Sequence, residues 1–118
     1  MATHVGVMRL VLDVPGARSL KDRRRAVVSL RDRVRHRFPV TWNDVDEGGG
    51  HDVAVVVCTS ASTDPRLLRS TFDSIRALVA SSGKAYPRTV DVDVFPWHPA
   101  ERRWSDVQDA DDDWSSDG

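Results

Sequence analysis

Val5-Gly-Val-Met-Arg-Leu-Val-Leu-Asp13 and the segment after it, Val14-Pro-Gly-Ala-Arg-Ser-Leu-Lys-Asp-Arg-Arg24, decide the fold. The first alternates along an extended chain and is rich in Val and Leu, the side chains that suit a pleated surface. Met8, Leu10 and Leu12 fall on one face, and Val5, Val7, Arg9 and Val11 on the other. Pro15-Gly16 turns the chain, and Ser19 is placed as a helix N-cap with Asp22 three residues on. Leu20, Val27, Leu30, Val34 and Phe38 then recur at helical spacing, and Pro39 stops the helix at Phe38.

The rest of the chain repeats that logic. Val40 to Asp46 is a second strand, Glu47 to His51 a glycine-rich reversal, and Asp52 to Thr59 a third strand, apolar on both faces. Asp64-Pro65 opens a second helix, with an apolar stripe of Leu68, Phe72, Ile75 and Val79 and a stop at Gly83. Arg88 to Phe95 alternates again, with Val90, Val92 and Val94 opposing Thr89, Asp91, Asp93 and Phe95. Strand, helix, strand, strand, helix, strand with right-handed crossovers gives an α+β, ferredoxin-like βαββαβ domain. Its four-stranded antiparallel sheet carries both helices on one face and spans residues 1–95. From Pro96 the pattern ends, and residues 96–118 read as an acidic, disordered tail.

Composition narrows the function classes. With 118 residues, 40% hydrophobic and 30% charged, the chain suits one compact domain. The longest apolar run, Val53 to Cys58, is too short to span a bilayer, and the N-terminus has no signal-peptide pattern, so a cytoplasmic location is expected. One cysteine, Cys58, excludes an internal disulfide framework. The net charge of −1 conceals an uneven distribution: nine Lys and Arg against Asp22 and Asp32 in residues 18–37, and two Arg against seven acids in 101–118. Fifteen of the seventeen basic residues are arginine, a bias that a GC-rich genome alone can produce.

Val14-Pro-Gly-Ala-Arg-Ser-Leu-Lys-Asp-Arg-Arg24 resembles the start of the YlxP-like proteins, a bacterial family of unknown function. Ser19, Leu20, Lys21, Arg23 and Arg24 take the places of that family's Ser-Leu-Lys-x-Lys-Arg element, with Arg23 in place of a lysine. Phe38-Pro-Val-Thr-Trp-Asn-Asp-Val-Asp46 and Asp52-Val-Ala-Val-Val56 are similar to the family's next two strands, so the likeness covers roughly residues 4–95. A longer Asp-x-Trp segment of the family is reduced here to Glu47–His51, and the acidic tail lies outside the family pattern. The resemblance implies the same fold and, through gene neighbours in translation and ribosome maturation, a ribosomal connection. It implies no activity.

The candidate site is the basic first helix. At 100° per residue Arg24, Arg31 and Arg35 form a row beside the apolar stripe, with Lys21 close by. Arginine forks onto phosphates, so this row is a candidate RNA-backbone contact, and six phosphate contacts give a log–log salt slope of about −4 on single strands. The competing reading is a solvated face whose arginines pair with neighbouring carboxylates. Arg23 falls nearer the core side, where it can pair with Asp44 or Asp46, or join Arg18 and the amides near Leu20 and Lys21 in an anion pocket.

The uncovered sheet face, carrying Val5, Val7 and Val11, is expected to bind a partner or a second copy, which makes a homodimer the expectation. Without an aromatic on the first or third strand it does not read as an RNA-recognition motif. No catalytic residue, metal or cofactor is expected. His51 with Asp46 and Asp52 reads as a polar hairpin tip before it reads as a ligand set, and Cys58 as a buried small apolar residue. Acylphosphatases share the topology and use an arginine in the first loop, but Pro15-Gly-Ala-Arg18 lacks their Gln-Gly-Val-x-Phe-Arg pattern. The acids of 101–118, interspersed with Trp104 and Trp114, read either as a solubilising tail or as a nucleic-acid mimic for the basic helix.

Overall fold

The computed structural model describes residues 2–45 and 50–99. The elements run β1 (Thr3–Asp13), α1 (Leu20–Arg37), β2 (Asn43–Asp44), β3 (Val53–Ser62), α2 (Pro65–Ser81) and β4 (Tyr86–Trp97). The sheet order is β2-β3-β1-β4, every neighbour antiparallel, which is the ferredoxin-like βαββαβ arrangement. β1 lies inside the sheet, paired to β3 from His4–Ser62 to Asp13–Val53 and to β4 from Thr3–Trp97 to Asp13–Tyr86.

Alternation on β1 sorts its residues as the sequence requires. Met8, Leu10 and Leu12 are buried on the helix face, while Val5, Val7 and Val11 are half-buried on the open one. β3 sends Ala54, Val56 and Cys58 to the helices, and Val55 on its other face is also buried. Val27, Leu30 and Val34 of α1 and Leu68, Phe72, Ile75 and Val79 of α2 close the core over them. Burying each such side chain is worth roughly 1.5–3 kcal/mol. Gly6 of β1 faces this layer, and a Cβ there would stand 2.6 Å from Phe72 Cε2.

The helix ends are set locally. Ser19 Oγ accepts from the Asp22 amide at 3.1 Å, and the Asp22 carboxylate accepts from the Arg18 amide, also at 3.1 Å. Phe38 leaves helical geometry immediately before Pro39. Asp64 caps α2 through the Arg66 amide with Pro65 in the first turn, and Gly83, with φ of +75°, turns the chain after Ser82.

Four expectations are corrected. Leu20 is not part of the buried stripe: at the first position of α1 it is 60% exposed. The second strand is confined to Asn43–Asp44, with Asp46 outside the described residues. Thr41 meets Thr59 partly through its side chain instead: Thr59 N–H donates to Thr41 Oγ1 at 3.0 Å, while Thr41 N–H donates to Thr59 O at 2.9 Å. β3 runs on to Ser62. β4 starts at Tyr86 and passes Pro96 to Trp97, so the alternating register outlasts the break expected at Pro96.

Candidate nucleic-acid interface

The first three turns of α1 and the short strand β2 form the two walls of an open groove of about 610 Å³. Lys21, Arg23, Arg24, Val28 and Arg31 line the helix side, with Leu20 at the mouth and Val27 at the base. Trp42 and Asp44 line the other side. Strand parity explains the second wall. Asp44 opposes Val56, whose side chain is in the core, so Asp44 lies on the helix-bearing face. Trp42, two residues earlier, is 7% exposed and packs into the core.

Each cation in the groove has a different environment. Lys21 and Arg24 are exposed and make no ion pair with any described residue. Arg31 is half-buried and donates through Nε and Nη2 to Asp32 Oδ1, both at 3.1 Å, so part of its charge is offset. Arg23 Nη1 donates to the carbonyls of Gly50 at 2.8 Å and Val53 at 3.3 Å. This corrects the expected pairing with Asp44: Arg23 ties the start of α1 to the chain entering β3, with backbone oxygens as its acceptors. Arg23 Nε and Trp42 Nε1 are buried without a hydrogen-bond partner. Asp44 makes no ion pair with a described residue either.

The six basic residues singled out in the sequence do not all converge. Lys21, Arg23, Arg24 and Arg31 share the groove. Arg35 lies in a second hollow with Val5, Phe38, Pro39 and Thr59, one helical turn past the last groove cation. Arg18 is exposed ahead of the helix and lines neither hollow. Its neighbouring helix terminus already holds an acid, since the Ser19 hydroxyl and the Asp22 carboxylate accept there. The only sequence signal for Trp42 and Asp44 as groove walls is the parity of the second strand.

On the open sheet face Val5, Val7 and Val11 oppose Ala61, Thr59 and Val55 of β3, and Val53 and Val57 share that face. On the other side β4 adds Phe95 opposite Val5, Trp97 opposite Thr3 and Tyr86 opposite Asp13, an aromatic rim supplied by the fourth strand and not by the first or third. Arg9 Nη1 approaches Asp91 Oδ2 at 3.8 Å across the middle of this face. His51 Nδ1 lies 3.0 Å from the Ala17 carbonyl, which makes it the protonated nitrogen. No group of three or more His, Cys, Asp or Glu side chains able to hold a metal occurs among the described residues, and Asp46 lies outside them. Cys58 is fully buried, and burial pushes its thiol up to about 12. Residues 101–118, with Trp104 and Trp114, lie outside the described residues.

No curated protein matches the chain. Among solved structures it is similar to the de novo designed protein Foldit4, at 12% identity and a TM-score of 0.51, over 81% of this chain and 99% of that one. It is also similar to the de novo designed LFR1 1 with ferredoxin fold, at 12% identity and a TM-score of 0.46, over 88% and 92%. A third is SnoaB, a cofactor-independent oxygenase from Streptomyces nogalater, at 11% identity and a TM-score of 0.44, over 87% and 100%. Likenesses this distant speak to the fold alone. A family model, protein of unknown function (DUF503), matches residues 5–92, three-quarters of the chain, and the protein belongs to that family.

Proposed function

We propose that this protein is a non-enzymatic RNA-binding module that holds a phosphate backbone in the groove between α1 and β2. One observation carries the reading: Lys21, Arg23, Arg24 and Arg31 line a single groove, and Lys21 and Arg24 are not neutralised by any described carboxylate. Such a cluster costs self-repulsion and stays soluble without a ligand, but a polyanion entering it releases counterions and is bound strongly at low salt. Arg18 and Arg35 lie beyond the two ends of the groove and lengthen the basic track. The YlxP-like resemblance, with its implied link to translation, makes ribosomal RNA the first substrate to test.

Fluorescence anisotropy of labelled ribosomal RNA fragments across a salt series tests this. Phosphate contacts from Lys21, Arg24 and Arg31 predict a log–log slope of about −2, shallower than six contacts would give. Arg24→Gln with Arg31→Gln lowers the slope by about 1.4 if both touch phosphate. Absence of binding at low salt, by the full chain and by residues 1–100 alike, refutes the reading. Tighter binding by residues 1–100 would make the acidic segment 101–118 a competitor for the groove; equal affinity leaves it a solubilising tail.

A second reading, a homodimer built on the open face, is favoured by Val5, Val7 and Val11 on that face, with the exposed Phe95 opposite Val5. Light scattering of the wild type against Val7→Lys separates the two: a dimer lost in the variant supports the interface, and a monomeric wild type at all concentrations removes it.

A further inference from the structure

The groove keeps opposite charges apart. Among the described residues, Lys21 and Arg24 on its helix wall have no acidic partner, and Asp44 on its strand wall has no basic one. Four cations and a carboxylate lining one cleft would ordinarily collapse into ion pairs. Here the ladder from Asp44 to Val56 fixes the carboxylate on β2, and the cations ride on a separate helix. A ligand that fills both walls must present negative charge to α1 and hydrogen-bond donors to Asp44. Phosphates alone meet only the first demand and are repelled by the second.

We infer that Asp44 makes this groove selective for guanine in single-stranded RNA, an inference that rests on the RNA-binding reading. Along α1 the groove runs about 15 Å between Lys21 and Arg31, the reach of a few nucleotides. Duplex RNA is instead read across two minor grooves, over about 16 base pairs. A single strand lays its phosphates against Lys21, Arg24 and Arg31 and turns a base towards β2. Guanine offers N1–H and N2–H side by side, two donors matching the two oxygens of one carboxylate. Adenine places an acceptor at that position, cytosine offers one donor beside an acceptor, and uracil flanks its one donor with carbonyls. The exposed Leu20 at the mouth and the aliphatic side of Val28 give the base an apolar surface to lie on.

The test uses the full chain and four labelled RNA heptamers, all uridine except for a central G, A, C or U. The wild type is expected to bind the G heptamer about tenfold more tightly than the U heptamer, the lower range for hydrogen bonds to a charged acceptor. Asp44→Ala is expected to level the four affinities while binding the U heptamer no less tightly, because a like charge has left the phosphate track. Asp44 is exposed and holds its place through the backbone, so the variant keeps the fold, checked by its unfolding midpoint. Equal wild-type binding to all four heptamers overturns the inference and leaves the RNA-binding reading standing. So does a guanine preference that survives Asp44→Ala, or a preference for C over G. Absence of binding to any heptamer or ribosomal fragment refutes both readings together.

Discussion

Gly6 is the position where one methyl group tests the packing most directly. It sits on β1 facing α2, where an added Cβ would lie 2.6 Å from Phe72 Cε2, 3.0 Å from Phe72 Cζ and 3.6 Å from Leu68 Cβ. The first distance is far inside contact, and the Phe72 ring is buried in the core. Gly6→Ala must therefore shift the ring off its rotamer or push α2 from the sheet, at about 1–3 kcal/mol. Restricting the unfolded chain returns about 0.4–1 kcal/mol, so the midpoints of the two ranges give a net loss of about 1.3 kcal/mol. For a domain of this size that lowers Tm by roughly 5–10 °C. Urea unfolding followed by circular dichroism gives the same quantity as a shifted midpoint at unchanged slope. Phe72→Leu removes the clashing ring atoms, so the double variant should lose at least about 0.5 kcal/mol less than the two single losses combined. A Gly6→Ala protein as stable as the wild type, or strictly additive losses, would refute the close approach.

Two further outcomes are expected. Arg23→Met removes the donations to the Gly50 and Val53 carbonyls and is expected to cost about 1–2 kcal/mol in urea unfolding, an unchanged midpoint refuting the clasp. For Cys58 the folded thiol is pushed up to about 12 while the unfolded thiol titrates near 9, so the native state binds the extra proton above pH 9. The stability of the wild type relative to Cys58→Ala should accordingly fall from about pH 9 upward, by at most about 1.4 kcal/mol per pH unit, and parallel pH profiles would contradict it.

The residues that could be placed from the sequence were those whose environment is decided within one element. The α2 stripe, the Ser19 and Asp64 caps, the Gly83 stop and the two faces of β1 follow from periods of 3.6 and 2.0 and from local hydrogen bonding. Leu20 failed because periodicity says which way a side chain points and nothing about whether a neighbour stands there. Alternation through Val40, Trp42 and Asp44 predicts a longer second strand because it cannot reveal that Thr41 engages β3 partly through its hydroxyl. The carbonyl acceptors of Arg23 leave no trace in a sequence, where only carboxylates stand out as partners for an arginine. The groove needed the crossover from α1 to β2 before Lys21 and Asp44 could be seen as opposite walls.

The pairing of β1 with β3 on one side and β4 on the other has a consequence for synthesis. The strand made first in this domain occupies the sheet interior, and one of its two partners is the strand made last. Until Tyr86–Trp97 leaves the ribosome, a partly made domain presents the β4-facing edge of β1 as an open row of amides and carbonyls. The final step closes Thr3 against Trp97 across nearly the whole domain, a loop that forms slowly compared with the helices and the β2–β3 connection. Nascent chains stalled before residue 86 should thus be the aggregation-prone species, sensitive to holdase chaperones in a way the finished domain is not.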